Sequence, residues 1–280
     1  MQFLAFVAVV SLVLWAYRVI ERRRERTRLL ARPFPEEWRR ILGRNVPLYS
    51  RSSAERRQRL EETVQRFVVD VPFEGCGGLT VDDEIRVTVA GQACMLLMGR
   101  DLQLFPRLRS ILIYPSTYRS SERRMTDGGF VVEGEHSRLG ESWGQGYVVL
   151  AWDAVLHGAS DLRDGHNVVL HEFAHQLDQE DGVSDGIPLF DHPLQYGQWA
   201  RVLERDFEKL VERSSRGRRT VLDAYGATNK AEFFAVATET FFEKPEALKR
   251  RYPELYELLE EFYGVPPETE EVSPCKGASV

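Results

Sequence analysis

His171-Glu172-Phe173-Ala174-His175, preceded by Val168-Val169-Leu170 and continued by Leu177, decides how the chain is read. Residues four apart share one face of an α-helix about one turn apart, so both imidazoles can reach a single ion. Imidazole nitrogens suit zinc, and the glutamate between them is placed to act on a water at that ion. Zinc stabilises hydroxide near neutral pH and a neighbouring carboxylate accepts the proton, a pairing that makes a nucleophile. The apolar flanks imply that the helix is buried. Two histidines and a glutamate are costly to bury unless something pairs them, which sets a metal above two ordinary core histidines.

A catalytic zinc keeps one position open and takes three protein ligands. Two residues qualify for the third. Asp181 lies ten positions after His171, where some short zinc motifs place their last ligand, but those motifs need a glycine to turn the chain and Asp178 stands there. Glu232 lies on a later helix expected to begin near Asn229. Asn229-x-x-Glu232 also has capping-box spacing, in which the carboxylate would only close a helix start. Phe233, Phe234, Val236, Phe241 and Phe242 make that helix apolar and hence buried, and Glu239 falls on nearly the same face as Glu232. Two carboxylates on a buried helix need a cation or donors nearby, which favours Glu232 over Asp181. His136, His157, His166 and His192 show no ligand spacing and read as surface or loop residues.

Outward from the motif, residues 36–98 read as a helical lobe. Ser52 and Glu55 have capping-box spacing ahead of a helix through Leu60, Val64 and Phe67. Glu74-Gly75-Cys76-Gly77-Gly78 reads as a turn, after which Thr80 is expected to cap a second helix that buries Ile85, Val89, Cys94 and Leu97. Ile111 to Tyr114 and Tyr147 to Trp152 are short runs rich in strand formers. The glycine-rich stretch between them suggests hairpins or an irregular flap. From His166 onward the pattern is helical, and residues 266–280 read as a disordered tail.

Composition bounds the rest. With 280 residues, 43% hydrophobic and 29% charged, the chain suits one sizeable globular domain. A net charge of −6 argues against direct nucleic-acid binding. Three scattered cysteines, Cys76, Cys94 and Cys275, make neither a disulfide framework nor a cysteine zinc site. Residues 1–17 are apolar apart from Gln2 and Ser11, and Arg18, Arg22, Arg23, Arg24, Arg26, Arg28 and Arg32 follow against only Glu21 and Glu25. A short apolar span with a basic C-terminal flank reads as a membrane anchor whose following domain stays in the cytoplasm. The expected organisation is therefore an anchor at 1–20, a basic juxtamembrane segment at 21–34, a catalytic domain at 35–265 and the tail.

Four stretches together carry a family resemblance: Phe73 to Thr80, Tyr147 to Asp153, Asn167 to Asp178, and Asp223 to Asn229 leading into Ala231 to Val236. Through them the chain resembles the Mlc titration factor A family of bacterial zinc peptidases, and more distantly the catalytic domain of anthrax lethal factor. The resemblance covers about Pro35 to Val265. It implies an α+β, zincin-like (gluzincin) fold with a helical N-terminal lobe, a small mixed sheet and an active-site helix. It further implies one zinc per chain held by His171, His175 and Glu232, with Glu172 as general base and Tyr225 facing the site. A phenol there can donate a hydrogen bond to an oxyanion; the plainer alternative is a packed aromatic with a wet hydroxyl.

The activity implied is aminopeptidase-like hydrolysis of small peptides, and the implied partner is the glucose repressor Mlc. A non-catalytic protein that sequesters a transcription factor is the competing reading. Lys230 departs from the family pattern, where proline is common, and some members lack the apolar N-terminus and are cytosolic. Val148, Val149, Leu150, Ala151 and Trp152 are expected to form a sheet edge that takes an extended peptide. Asp178 and Glu239 are expected to orient the imidazoles.

Overall fold

In the computed structural model the chain is described at residues 17–99 except 19 and 22, and at 105–116, 146–160, 164–190 and 193–264. Between 117 and 145 only the backbone of short strands is described. The expected tail and all of the expected anchor except residues 17, 18 and 20 lie outside that set. Among the described residues no helix is long and apolar enough to cross a membrane.

Helix α1 (residues 23–30) leads to the N-terminal lobe, formed by α2 (Glu36–Asn45), α3 (Pro47–Arg51) and α4 (Ala54–Asp70). Proline in the first turn starts α3, where its missing N–H costs nothing. This five-residue helix shifts the expected cap by one position. Ser52 closes α3, donating its hydroxyl to Leu48 O, and Ser53 caps α4 by accepting from Arg56 N–H. The next cap also moves. Asp82, not Thr80, opens α5 (Asp83–Met95), its carboxylate accepting from Ile85 N–H at 3.0 Å. Helix α5 is buried from Val87 through Met95 and forms the centre of the lobe.

The stretch read as a turn begins with a strand, β1 (Phe73–Gly75), which pairs in parallel with β2 (Ser110–Tyr114). Three residues carry no period, so only the partner defines such a strand. Four short strands follow in two antiparallel pairs: β3 (Tyr118–Arg119) with β6 (Ser137–Arg138), and β4 (Arg124–Met125) with β5 (Val131–Val132). Strands β7 (Gly140–Trp143) and β8 (Tyr147–Ala151) complete a mixed sheet in the order β1-β2-β8-β7, the first three parallel.

Strand β8 is therefore interior. It pairs with β2 on one side and with β7 on the other, so the expected edge at Val148 to Trp152 passes to β7. Val148, Val149, Leu150 and Ala151 are buried, and Trp152 belongs to the next helix, α6 (Trp152–Ser160). A strand buried on both faces reads as a continuous apolar run, which is why this one does not reveal its neighbours.

Helix α7 (Val168–Asp178) follows, then α8 (Pro193–Ser215), a short 3-10 turn at Ala224–Ala227, α9 (Lys230–Glu243), α10 (Pro245–Arg251) and α11 (Pro253–Tyr263). The underside of α7 is held by aromatic rings. Phe173 meets Phe105 at 4.8 Å and Phe67 of α4 at 5.8 Å in edge contacts. Such pairs add about 0.5–1.5 kcal/mol to the gain from burial.

Candidate metal centre

Asn167 starts α7 with its side-chain oxygen accepting from Val169 and Leu170 N–H, both at 3.1 Å. Asn229 starts α9 in the same way, accepting from Glu232 N–H at 2.9 Å. The Glu232 carboxylate is not used to close that cap. It turns to the imidazoles instead. Glu232 Oε2 lies 2.9 Å from His171 Nε2 and 3.3 Å from His175 Nε2, and the two nitrogens are 3.2 Å apart. Asp181 is exposed and accepts from Val183 N–H, away from this group.

A carboxylate at Glu239 fixes the proton of one ring. Glu239 Oε1 is 2.7 Å from His171 Nδ1, and its other oxygen accepts from Asn167 N–H at 2.5 Å. An ionised carboxylate only accepts, so Nδ1 carries a hydrogen, and Nε2, facing Glu232 and His175, is the position where either a second proton or an ion can sit. Three electron-rich atoms meeting in a buried place need a positive charge among them. Burial disfavours charge on His171, but its bonds to Glu232 and Glu239 outweigh that and push it up to about 10. Burial acts on Glu232 too, yet the two imidazoles hold its carboxyl down at about 2. Both shifts have the same cause, a proton on His171 paired with the Glu232 carboxylate.

The donor set fits a metal. His171, His175 and Glu232 offer ligand atoms all within 4.8 Å of one another. Donors around a tetrahedral zinc with bonds of ~2.0–2.1 Å stand ~3.3 Å apart, close to the three separations found. Glu172 Oε2 is buried with no hydrogen-bond partner among the described residues, a polar atom left for something not of the chain. Burial, aided by Glu232 and Glu239 and opposed by His171, pushes the Glu172 carboxyl up to about 8.

Tyr225 sits in the 3-10 turn, where Asp223 caps by accepting from Tyr225 N–H at 2.7 Å. Its ring is 5.9 Å from that of His171 and 55% exposed, so the phenol stands at the rim beside solvent. Gly226 lets the turn come this close, since a Cβ there would meet Leu210 at 3.2 Å and Val236 at 3.3 Å. Asp178 behaves differently from Glu239. It accepts from Ser184 Oγ at 3.1 Å, while its second oxygen and His175 Nδ1 are buried without hydrogen-bond partners among the described residues. Three positions after His175 on the same helix, it is directed to the following loop, and burial lifts its carboxyl to about 6.

Of the other histidines, His166 is exposed 3.5 Å from Asp223, His157 is exposed on α6, and His136 and His192 lie outside the described residues. Sequence reading passed over two buried groups near the centre. Asn167 is one; an asparagine just before an apolar helical run is a cap signal that could have been used. Glu243 is the other, one turn beyond Glu239 on α9. Among the described residues neither of its oxygens makes a hydrogen bond of good geometry, and burial, opposed by the nearby Asn167 amide and reinforced by Glu239 and Asp164, lifts its carboxyl to about 8.

Known proteins share this arrangement of sequence. The family model described as glucose-regulated metallo-peptidase M90 matches residues 19–264. An uncharacterized protein of Synechocystis sp. is 39% identical over 240 residues, covering 85% of this chain and 87% of the relative. Mlc titration factor A of Escherichia fergusonii is 30% identical over 231 residues, covering 79% and 84%. The protein of that name from Yersinia pestis (strain Pestoides F) is 32% identical over 228 residues, covering 78% and 81%.

Proposed function

From the premise that this chain belongs to the glucose-regulated metallo-peptidase M90 family, we propose that it is a zinc-dependent peptidase of gluzincin type acting on small peptides. The observation that carries the reading is the meeting of His171 Nε2, His175 Nε2 and Glu232 Oε2, with no lysine or arginine paired with Glu232 among the described residues. These three residues hold the zinc. When bound, the ion acts as a Lewis acid that brings water's pKa towards neutrality.

The chain's own groups do the rest. Glu172 Oε2 takes the proton of the attacking water and delivers it to the leaving amine. Tyr225, at the open rim, donates its hydroxyl to the oxygen that becomes negative as the peptide carbon turns tetrahedral. Glu239 holds the His171 ring so that Nε2 is the free nitrogen. An extended peptide would add to β7, the antiparallel edge next to β8. The aminopeptidase preference rests on the family resemblance.

The test uses the full chain with one equivalent of zinc and two probes, an aminoacyl anilide and an internally quenched peptide. Glu172→Gln keeps the metal and loses about 10²–10⁴-fold in kcat/KM. Tyr225→Phe loses about 10²–10³ in kcat with little change in KM. Hydrolysis that survives Glu172→Gln removes the catalytic assignment.

The name of two relatives, Mlc titration factor A, supports a second role in binding a glucose-responsive repressor. If the Glu172→Gln protein still binds such a repressor, hydrolysis and binding are separable. If binding persists in a chain shown never to hydrolyse peptides, sequestration alone is the function. We also place the domain in the cytoplasm, anchored to the inner membrane by residues 1–20. Release of the chain to the soluble fraction on deleting that segment is the expected result, and an unchanged distribution refutes it.

A further inference from the structure

Charge is distributed very unevenly along this chain. Residues 17–70 hold fifteen arginines, no lysine and eight acidic residues, a net of +7 in a chain of net −6, which leaves −13 for the remainder. Within the lobe most of the arginines on α2 are neutralised. Arg39 pairs with Glu36 and Glu61, Arg40 with Glu37, and Arg44 with Glu84. Helix α1 and its flanks differ. Arg18, Arg23, Arg24, Arg28 and Arg32 are exposed, and among the described residues none has an ion-pair partner. Arg24 and Arg28 lie one turn apart, on the side of the helix away from Arg26.

The helix that carries them is fixed to the domain. Arg26 makes a two-pronged bond to Asp70 at the end of α4, at 2.5 and 2.8 Å. Gln65 of α4 donates to Leu29 O and Arg32 O at 3.1 and 3.0 Å, tying the helix end to the domain. One arginine is used as a clamp and the others face outward.

We propose that α1, clamped to α4 through Arg26–Asp70, is a docking surface for anionic lipid headgroups that sets how the catalytic domain faces a membrane. This deepens the anchoring reading above and rests on it only in choosing lipid over nucleic acid. Planar guanidinium groups match phosphate oxygens in pairs. A basic cluster directly after an apolar run meets the headgroup layer of the leaflet that the run enters. The exposed arginines of α1 follow directly on the apolar run, so they are the first charges of the chain that a membrane entered by that run would meet.

The experiment takes the full chain, diluted from detergent onto vesicles of phosphatidylcholine alone or with about a third phosphatidylserine. Binding is read by flotation at about 50 and about 500 mM salt. The expected result is a preference for the anionic vesicles of at least tenfold at low salt that vanishes at high salt. Arg24→Ala with Arg28→Ala should cut the anionic affinity about 25-fold, at about fivefold per arginine, and leave neutral vesicles unchanged. Equal binding to both vesicles, or an unaltered preference in the double variant, overturns the proposal. So does duplex DNA displacing the chain from anionic vesicles at equal phosphate. Failure to bind neutral vesicles, with the anionic preference intact, would instead remove the apolar anchor and leave this surface standing.

Discussion

Two glutamates in this molecule, one buried and one half-buried, meet opposite fates. Glu61, in the lobe, receives Arg39 at 2.9–3.1 Å and the Tyr49 hydroxyl at 2.7 Å, so its charge and both oxygens are matched by the chain itself. Tyr49 is pushed up to about 12 by burial and by that bond, and stays a donor throughout the physiological range. Glu232, between α7 and α9, meets two imidazoles, with Glu239 and Glu172 close by. Among the described residues no lysine or arginine is paired with any of the three. One acid sits in a completed circuit and the other in a circuit with a gap. The difference separates a charge matched by the chain's own arginine from one that, with two imidazoles, could hold a metal ion.

The contrast can be broken at either end. Replacing Glu232 should have the largest effect. Glu232→Ala is expected to purify without stoichiometric metal, whereas Asp181→Ala retains it, as metal analysis would show; zinc lost only from the aspartate variant would reverse the choice of ligand. Glu239→Gln should bind metal about 10–100-fold more weakly, measured by competition with a chelator, because the amide no longer forces the hydrogen onto His171 Nδ1. Glu61→Gln should cost about 1–2 kcal/mol in urea unfolding and leave metal content untouched. That figure is kept low because the Arg39 side chain is 41% exposed.

The smallest effect concerns Glu243. Its folded carboxyl titrates near 8, above the usual carboxylate range, so between pH ~4.5 and 8 the folded chain holds a proton the unfolded chain has released. Stability from this group therefore falls as pH rises through that window. Glu243→Gln should melt higher than the parent by a margin that widens from pH ~5 to pH ~9. A constant margin would mean that Glu243 does not titrate there.

The sequence showed some parts of this plainly. His171, Glu172 and His175 needed only helical spacing, and Glu232 only the argument that a carboxylate on an apolar helix must face something. Strands β2 and β8 showed as apolar runs, and the core positions of α4 and α5 as periodic ones. What it did not show depends on neighbours distant in the chain. β1 exists because Phe73 lies beside Ile111, and β8 is interior because Gly140–Trp143 comes back to it. Asp178 was read as an imidazole acceptor on spacing, but its bond depends on where the loop at Ser184 runs. The caps missed their positions because α3, too short for a period, displaced the first, and because Asp82 reaches Ile85 where Thr80 does not.

Glu239 belongs to two structures at once, with one oxygen on the ligand ring and the other on the backbone where α7 begins. Winding the first turn of that helix and gripping the ion are thus a single cooperative act. Were a metal ion held as proposed, any shift of Glu239 on its release would be felt first at Asn167, and occupancy would be legible as rigidity at a point away from the chemistry.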